Sequence, residues 1–178
     1  MARGKRFTPG GFVYHVCNRG SRKGEIFKDD TDYACFLELV DLAREKRPIR
    51  IPAYCLMKTH FHFLLWPKGD TDLPRFLQWL TGTHAQRWHR NRGTTGSGAV
   101  YQSRYVSRPI ADDRHYFTVL RYVERNALQA GLVERAELWP WCSVSERTPE
   151  GVTFCTDPGP FPRLPNWLEF LNHDPLNN

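Results

Sequence analysis

A predicted β-hairpin near the middle of the chain constrains the fold more than any other segment. Residues 51–57 (IPAYCLM) and 60–66 (HFHFLLW) are runs rich in β-branched and aromatic residues, and only Lys58 and Thr59 separate them. Runs of this kind predict strands, and so short a connection can join only antiparallel neighbours. The hairpin therefore predicts a sheet that contains an antiparallel pair.

Further strands and helices are predicted on both sides of the hairpin. Residues 11–19 and 100–110 have the composition of strands. Helical periodicity and capping residues predict three helices, from Asp29 or Asp30 to about Arg47, from Leu73 to about His89, and from Asp112 or Asp113 to about Ala127. The order β-α-β-β-α-β-α predicts the α+β class, as a ferredoxin-like split βαβ sandwich in which helices pack on an antiparallel sheet.

The length and the cysteine content limit the organisation of the chain. Its 178 residues suffice for one domain. We predict that residues 1–147 form this domain and that the Pro-rich residues 148–178 form an extension that packs on it. No apolar run approaches the roughly 20 residues of a membrane span, and no apolar stretch follows the basic N-terminus. Five cysteines without a CxxC pair favour reduced thiols. These features predict a cytoplasmic protein with no membrane partner.

The charge is distributed unevenly along the chain. The formal net charge is +6, and all but three of the 25 lysines and arginines precede residue 134. Residues 84–108 carry no acidic residue and five arginines, namely Arg87, Arg90, Arg92, Arg104 and Arg108. A positive body favours a polyanionic partner, most often nucleic acid, although a basic solvated surface has the same composition.

His60 and His62 are two residues apart in the second strand of the predicted hairpin. Side chains alternate between the faces of a sheet, so both imidazoles project from the same face and Phe61 from the other. Two imidazoles in this arrangement can bind a metal ion together. They can equally be polar residues on a solvated face, and the pair alone does not decide between these interpretations.

The third predicted helix carries Tyr122 and Asn126 four residues apart. Residues at this spacing lie side by side on a helix, here on the flank of its apolar stripe. The phenol offers a nucleophile, and the carboxamide oxygen can complete a metal site that contains two histidines. A boundary aromatic and a polar residue near a helix end are the alternative interpretation.

Several motifs resemble those of one known superfamily, and they occur in its order. CLMKTHFHFLLW (55–66) resembles the His-hydrophobic-His motif of the HUH endonucleases, and RYVERNALQAGLV (121–133) resembles the tyrosine helix of their single-tyrosine transposases. The flanking motifs agree, namely HVCNRG (15–20), AYCLM (53–57), YQSRY (101–105) and WPWCS (139–143). Together they resemble the REP-associated tyrosine transposases from about Gly10 to Ser145. The chain has Lys58-Thr59 and Asn126-Ala127 where the family commonly has Pro-Asn and Asn-Pro.

The resemblance implies an HUH endonuclease-type fold and a metal-dependent transesterification on single-stranded DNA with hairpin repeats. By resemblance, Tyr122 is the nucleophile that forms a 5′-phosphotyrosine link. His60, His62 and Asn126 are the ligands of a divalent cation, Mg²⁺ or Mn²⁺. The protein would act at the nucleoid, as a monomer or as a homodimer.

The predicted DNA contacts combine the resemblance with the charge pattern. Polar and basic residues after the first strand would contact the single-stranded foot of the hairpin, namely Asn18, Arg19, Arg22 and Lys23. Arginines from the second helix to the fourth strand would follow the phosphate backbone, namely Arg87, Arg90, Arg104 and Arg108.

Two other functions remain open on the sequence. A non-catalytic binder of single-stranded repeats would use the same basic surface, and a metal-dependent hydrolase would use water in place of Tyr122. The distance between Tyr122 and the histidines separates a binder from an enzyme, because catalytic groups more than roughly 10 Å apart cannot act on one phosphate.

Overall fold

Four strands form one antiparallel sheet in the computed structural model, which describes residues 8–145, 154 and 156–173. They are β1 (Tyr14–Arg19), β2 (Arg50–Met57), β3 (His60–Trp66) and β4 (Val106–Pro109). In the order β2-β3-β1-β4, β3 separates β1 from β2 and β1 separates β3 from β4. Each helical crossover thus skips one strand, which confirms the predicted α+β split βαβ arrangement.

Helices cover both faces of this sheet. They are α1 (Asp30–Lys46), α2 (Asp72–Arg92), α3 (Asp113–Glu124), α4 (Asn126–Gln129) and α5 (Trp167–Asn172). Strand alternation divides the apolar side chains between the two faces, so that Phe61 and Phe63 of β3 pack with α1 and α2. Leu64 packs with α3 and α5 on the other face. The face that carries α3 is also the face of His60 and His62.

The helix ends follow local signals that the sequence analysis used. Asp29 caps α1 by accepting a hydrogen bond from the backbone N–H of Asp32, and Asp112 caps α3 by accepting one from His115. Helix α2 continues three residues beyond the predicted end at His89, and Gly93, with φ of +63°, ends it in the left-handed conformation. Helix α3 stops at Glu124, and the short α4 follows after Arg125.

The predicted strand over residues 100–110 is much shorter in the structure. Of residues 100–110, only those of β4 pair with β1 as a strand, while Tyr101 forms an isolated bridge with Gly20. Between Tyr101 and β4, Tyr105 is buried in the core of the α1 and α2 face. The continuous pairing with β1 therefore begins only at Val106. Arg104 consequently lies in a loop and not on the strand that carries Arg108.

Residues 156–173 pack against the body of the protein. The guanidinium of Arg163 reaches Glu124 on α3, and Leu171 of α5 is buried in the α3-side core. Asp157 accepts hydrogen bonds from Arg44 and from the backbone N–H of Ile51. The proposed division into residues 1–147 and 148–178 stays a prediction, and 1–7, 146–153, 155 and 174–178 lie outside the described residues.

Two further features concern the described residues as a set. Among them, no helix combines the length and apolar character needed to span a bilayer. The four cysteines in this part of the chain, Cys17, Cys35, Cys55 and Cys142, are all free thiols, as predicted.

Candidate functional site

The start of β3 brings the two histidines of the His-Phe-His motif together. Their ring centroids are 5.0 Å apart and the rings are nearly perpendicular. His62 is only 5% exposed, whereas His60 is half-buried at the strand end, opposite Arg19 of β1. The pair is therefore not a set of polar residues on a solvated face.

The Nδ1 atom of each histidine already has a polar partner. His62 Nδ1 lies 3.0 Å from Nε2 of His15, and His60 Nδ1 lies 3.0 Å from Oγ1 of Thr59. Thr59 belongs to the turn in which this chain departs from the common family sequence. The contact with His15 engages Nδ1 of His62, so Nε2 is the ring nitrogen of His62 that is left for a further ligand.

Tyr122 and Asn126 approach the histidines from the helical side. The Tyr122 ring meets the His62 ring at 82° with a centroid separation of 5.3 Å, and the Asn126 side chain hydrogen-bonds His60. The phenol is 42% exposed, so a large substrate can reach it. The four predicted site residues thus converge well within the roughly 10 Å that a shared reaction on one phosphate requires.

Burial keeps the site histidines neutral at physiological pH. It lowers the pKa of His62 to about 3, with the neighbouring His15 and His60 adding to the effect. Burial also lowers the pKa of His15 to about 4, together with Arg108 and His115. The pKa of His60 is lowered by burial and by Arg19, although its hydrogen bond to Asn126 opposes the shift. Neutral imidazoles have the lone pairs that a metal ion needs.

A cavity of about 310 Å³ opens in front of these residues. Tyr122, His60 and His62 line this cavity, together with Asn18, Arg19 and Arg104. Asn18, Arg104 and their neighbours Gln102 and Ser103 also line a larger cleft of about 910 Å³ that extends to α2. The site is therefore continuous with a cleft long enough to hold more than the reacting group.

The structure brings only some of the predicted DNA contacts to this cavity. Arg19 and Arg104 are exposed on its rim, whereas Asn18 is largely buried and its amide oxygen accepts the backbone N–H of Arg19. Arg108 is exposed on β4, opposite His15 in the strand register.

The remaining predicted contacts lie elsewhere on the surface. Arg22 and Lys23 form an exposed turn after β1 and have positive φ angles of 54° and 60°. Strain of this kind in residues other than glycine persists only where the surrounding structure enforces it. Arg87 and Arg90 lie near the end of α2, and neither lines the cavity at Tyr122.

His15 is the site residue that sequence reasoning did not find. It lies on β1, and its ring is 5.2 Å from that of His62 and 5.7 Å from that of Tyr122. Strand alternation predicts that His15 and Cys17 share a face, but only the register of β1 against β3 brings that face to His62.

The site offers few charged donors to a divalent cation. Within residues 8–145, 154 and 156–173, no three His, Cys, Asp or Glu side chains are arranged to hold a metal ion. Two imidazoles and the neutral amide of Asn126 remain, with the Nε2 atoms unengaged by His15 or Thr59. Imidazole suits Zn²⁺, Fe²⁺ and Ni²⁺ better than Mg²⁺, which prefers oxygen ligands. The residues fit a weakly held ion whose coordination a phosphate oxygen can complete.

Comparison with known proteins gives a consistent set of matches by sequence. The family model described as "Transposase IS200 like" matches residues 10–126. A protein of Haemophilus influenzae named as a REP-associated tyrosine transposase is 24% identical over 146 residues, which cover 77% of this chain and 81% of that protein.

Solved structures match as well. A REP-associated tyrosine transposase bound to a REP hairpin aligns with 90% of this chain and 95% of its own, at a TM-score of 0.67 and 18% identity. This likeness shows a common fold. A structure described as a transposase of Deinococcus radiodurans aligns with 70% of this chain and 96% of its own at 15% identity. Its TM-score of 0.47 does not establish a common fold.

Proposed function

The chain belongs to the IS200-like transposase family, an enzyme family that cleaves and rejoins DNA, and from this premise we propose that it acts on single-stranded DNA with hairpin repeats through a covalent 5′-phosphotyrosine intermediate. The observation that carries the proposal is the position of Tyr122, an exposed phenol whose ring lies against the buried His62. An exposed nucleophile beside a pair of neutral imidazoles suits an attack on a phosphate.

In the proposed reaction, the Tyr122 oxygen attacks a backbone phosphorus atom. A bond forms between that oxygen and the phosphorus, and the bond from the phosphorus to the 3′ oxygen breaks. The phenol loses its proton, and the 3′ oxygen that leaves gains one. One phosphodiester replaces another, so the strand can be rejoined to a new 3′-hydroxyl without a nucleotide cofactor.

His60, His62 and Asn126 are the residues that would hold the cation, with Mg²⁺ or Mn²⁺ as the proposed ion. When bound, such an ion neutralises charge on the phosphate and orients it. His62 is held by its contacts with His15, His60 and Tyr122. The ligand geometry is therefore set before the substrate arrives, which lowers the cost of reaching the transition state.

Recognition of hairpin DNA is proposed from the basic surface and from the solved relative, which is bound to a REP hairpin. Arg19 and Arg104 would hold the phosphates next to the cleaved bond, because both line the cavity at Tyr122. Asn18, Arg22 and Lys23 would contact the foot of the hairpin, and the arginines farther away would follow the backbone, namely Arg87, Arg90 and Arg108. The protein would work at the nucleoid in the cytoplasm, as a monomer or a homodimer.

A covalent-adduct assay tests the proposal. The protein is incubated with Mg²⁺ or Mn²⁺ and a labelled single strand that carries a hairpin repeat from its genomic neighbourhood, and the products are separated on a denaturing protein gel. We expect a labelled protein band for the wild type and none for Tyr122→Phe, because only the phenol oxygen can form the link.

Tyr33→Phe is the matched control for this assay. Tyr33 is buried against the opposite face of the sheet, and its hydroxyl has no hydrogen-bond partner within the described residues, so the variant should form the adduct normally. A cut strand that persists in Tyr122→Phe would identify a hydrolase that uses water. Tight binding without any cut would identify a DNA-binding module and refute the proposed reaction.

A further inference from the structure

His15 makes the polar contact that engages Nδ1 of His62. The two ring nitrogens are 3.0 Å apart, and the rings stack at 20° with centroids 5.2 Å apart. The residues lie on neighbouring strands of one sheet face, because Cys17 pairs with His62 and His15 with Leu64 in the register of β1 and β3. The contact thus depends on the sheet itself and not on a loop.

We infer that His15 is a positioning residue that fixes the tautomer of His62, by accepting a hydrogen bond from Nδ1–H and so leaving Nε2 unprotonated for a divalent cation. The role of the cation rests on the proposed function, whereas the hydrogen bond is a property of the metal-free protein. His15 would act through His62 and would not itself bind the cation.

The direction of the hydrogen bond follows from the chemistry of imidazole. A neutral ring carries one proton, so a contact between two ring nitrogens needs one protonated and one free nitrogen. If His15 donated to Nδ1, the proton of His62 would lie on Nε2 and would block a metal at that atom. Partners of ligating histidines commonly accept the N–H that points away from the metal, and they fix both the tautomer and the ring orientation.

The surroundings of His62 keep the ring in this orientation. The rings of His60 and Tyr122 meet it at 88° and 82°, while His15 stacks nearly parallel to it. The ring is thus enclosed by three others, and a half-turn about its Cβ–Cγ bond, which would put Cδ2 in the place of Nδ1, would break the contact with His15. Thr59 engages the corresponding Nδ1 atom of His60, so the same pattern recurs at the second proposed ligand.

Two substitutions separate positioning from simple packing. His15→Gln places an amide oxygen near the former Nε2 position and can still accept from Nδ1–H of His62. His15→Leu fills similar space without an acceptor. A residue that only packs would be replaced better by leucine, whereas a residue that fixes a tautomer would be replaced better by glutamine.

Nitrogen NMR of the histidine rings in the metal-free, ¹⁵N-labelled protein tests the inference directly. We expect the proton of His62 on Nδ1 in the wild type and in His15→Gln, and a mixture of tautomers or a shift to Nε2–H in His15→Leu. Thr59→Val removes the contact at His60 and should leave His62 unchanged. A wild-type His62 protonated on Nε2 overturns the inference, and this spectrum decides even if a variant fails to fold.

Manganese binding, followed by electron paramagnetic resonance, gives a second readout. Loss of a partner of this kind typically weakens metal binding by about 10- to 100-fold, so we expect at least a tenfold loss in His15→Leu and a much smaller one in His15→Gln. Equal affinities in the wild type and both variants would overturn the role. Absence of the covalent adduct in the wild type would refute the proposed function, while the NMR result would still decide the hydrogen bond.

Discussion

Arg104 lies in the loop before β4, on the rim of the cavity that Tyr122 and the two histidines line. Its side chain is exposed and adjoins the larger cleft that extends to α2. A guanidinium in this position can hold a phosphate of the strand that enters the site. Arg47 provides a comparison, because it caps α1 near the opposite end of the sheet and is equally exposed.

Arg104→Ala should weaken the binding of a single-stranded hairpin substrate and lower its dependence on salt. Each phosphate neutralised in a single strand contributes about 0.7 to the slope of log K against log salt concentration, so the slope should fall by about that amount. Fluorescence anisotropy across salt concentrations measures this, in a Tyr122→Phe background that prevents cleavage. Arg47→Ala should leave the slope unchanged, and an equal effect of both substitutions would refute a specific phosphate contact.

At the residue scale, the sequence predicts side chains that share one element and misses those that meet across elements. His60 and His62 follow from strand alternation, and Tyr122 and Asn126 follow from helical spacing. The convergence of His60, His62 and Tyr122 on one cavity is implied only by the family resemblance. His15 was missed because its position beside His62 depends on the register of two strands that are far apart in the sequence.

Helix α2 is linked to the segment before β4 by a buried contact. Nδ1 of His84 lies 2.7 Å from the hydroxyl of Tyr101, and the His84 ring packs against those of Phe27 and Phe36. Burial lowers the pKa of His84 to about 4, while Asp32 opposes the shift and Arg92 adds to it. The neutral ring is therefore the form compatible with the fold.

The free energy of unfolding should decrease as the pH falls, and His84 should account for part of this decrease. Its pKa is about 6.5 when unfolded and lower when folded, so unfolding takes up a proton between these values. The stabilising contribution is present above pH 6.5 and is lost as the pH falls toward 4. Between pH 7 and pH 4.5, the free energy of unfolding of the wild type, measured in urea, should therefore decrease by about 2 kcal/mol more than that of His84→Gln. Equal losses would show that His84 does not carry this dependence.

At the scale of elements, helices were predicted better than strands. The starts of α1 and α3 follow from Asp29 and Asp112, which are local signals, but α3 ends at Glu124, before the predicted end at about Ala127. The length of β4 does not follow from a local signal. Residues 100–105 have strand composition, but they do not pair as a strand, because Tyr105 is buried in the core. For the same reason, Arg104 lies in the loop at the site and not on the predicted strand.

At the scale of the whole molecule, the comparisons confirm the predicted family and fold, while the predicted tail acquires contacts that no sequence pattern indicated. Glu124 is fully buried on α3, between Tyr122 and Asn126 in the sequence. Its carboxylate accepts hydrogen bonds from Arg163 and Trp167 of the C-terminal segment at 2.6 Å, and from Ser143 at 2.9 Å. Arg163 also donates to the carbonyl oxygen of Pro52 on β2. These contacts join four parts of the chain, namely α3, Ser143, β2 and the C-terminal segment, around one buried ion pair.

Removing Arg163 should therefore destabilise the protein strongly, because the buried carboxyl group of Glu124 would lose its charged partner. Arg163→Met is expected to lower the free energy of unfolding by about 3 kcal/mol, as for other buried ion pairs broken on one side. Glu124→Gln combined with Arg163→Met should recover part of this loss, since the double variant leaves no unpaired buried charge. Urea unfolding of both single variants and the double variant gives the coupling energy. Strictly additive losses would mean that the C-terminal segment is held on α3 by packing and not by this ion pair.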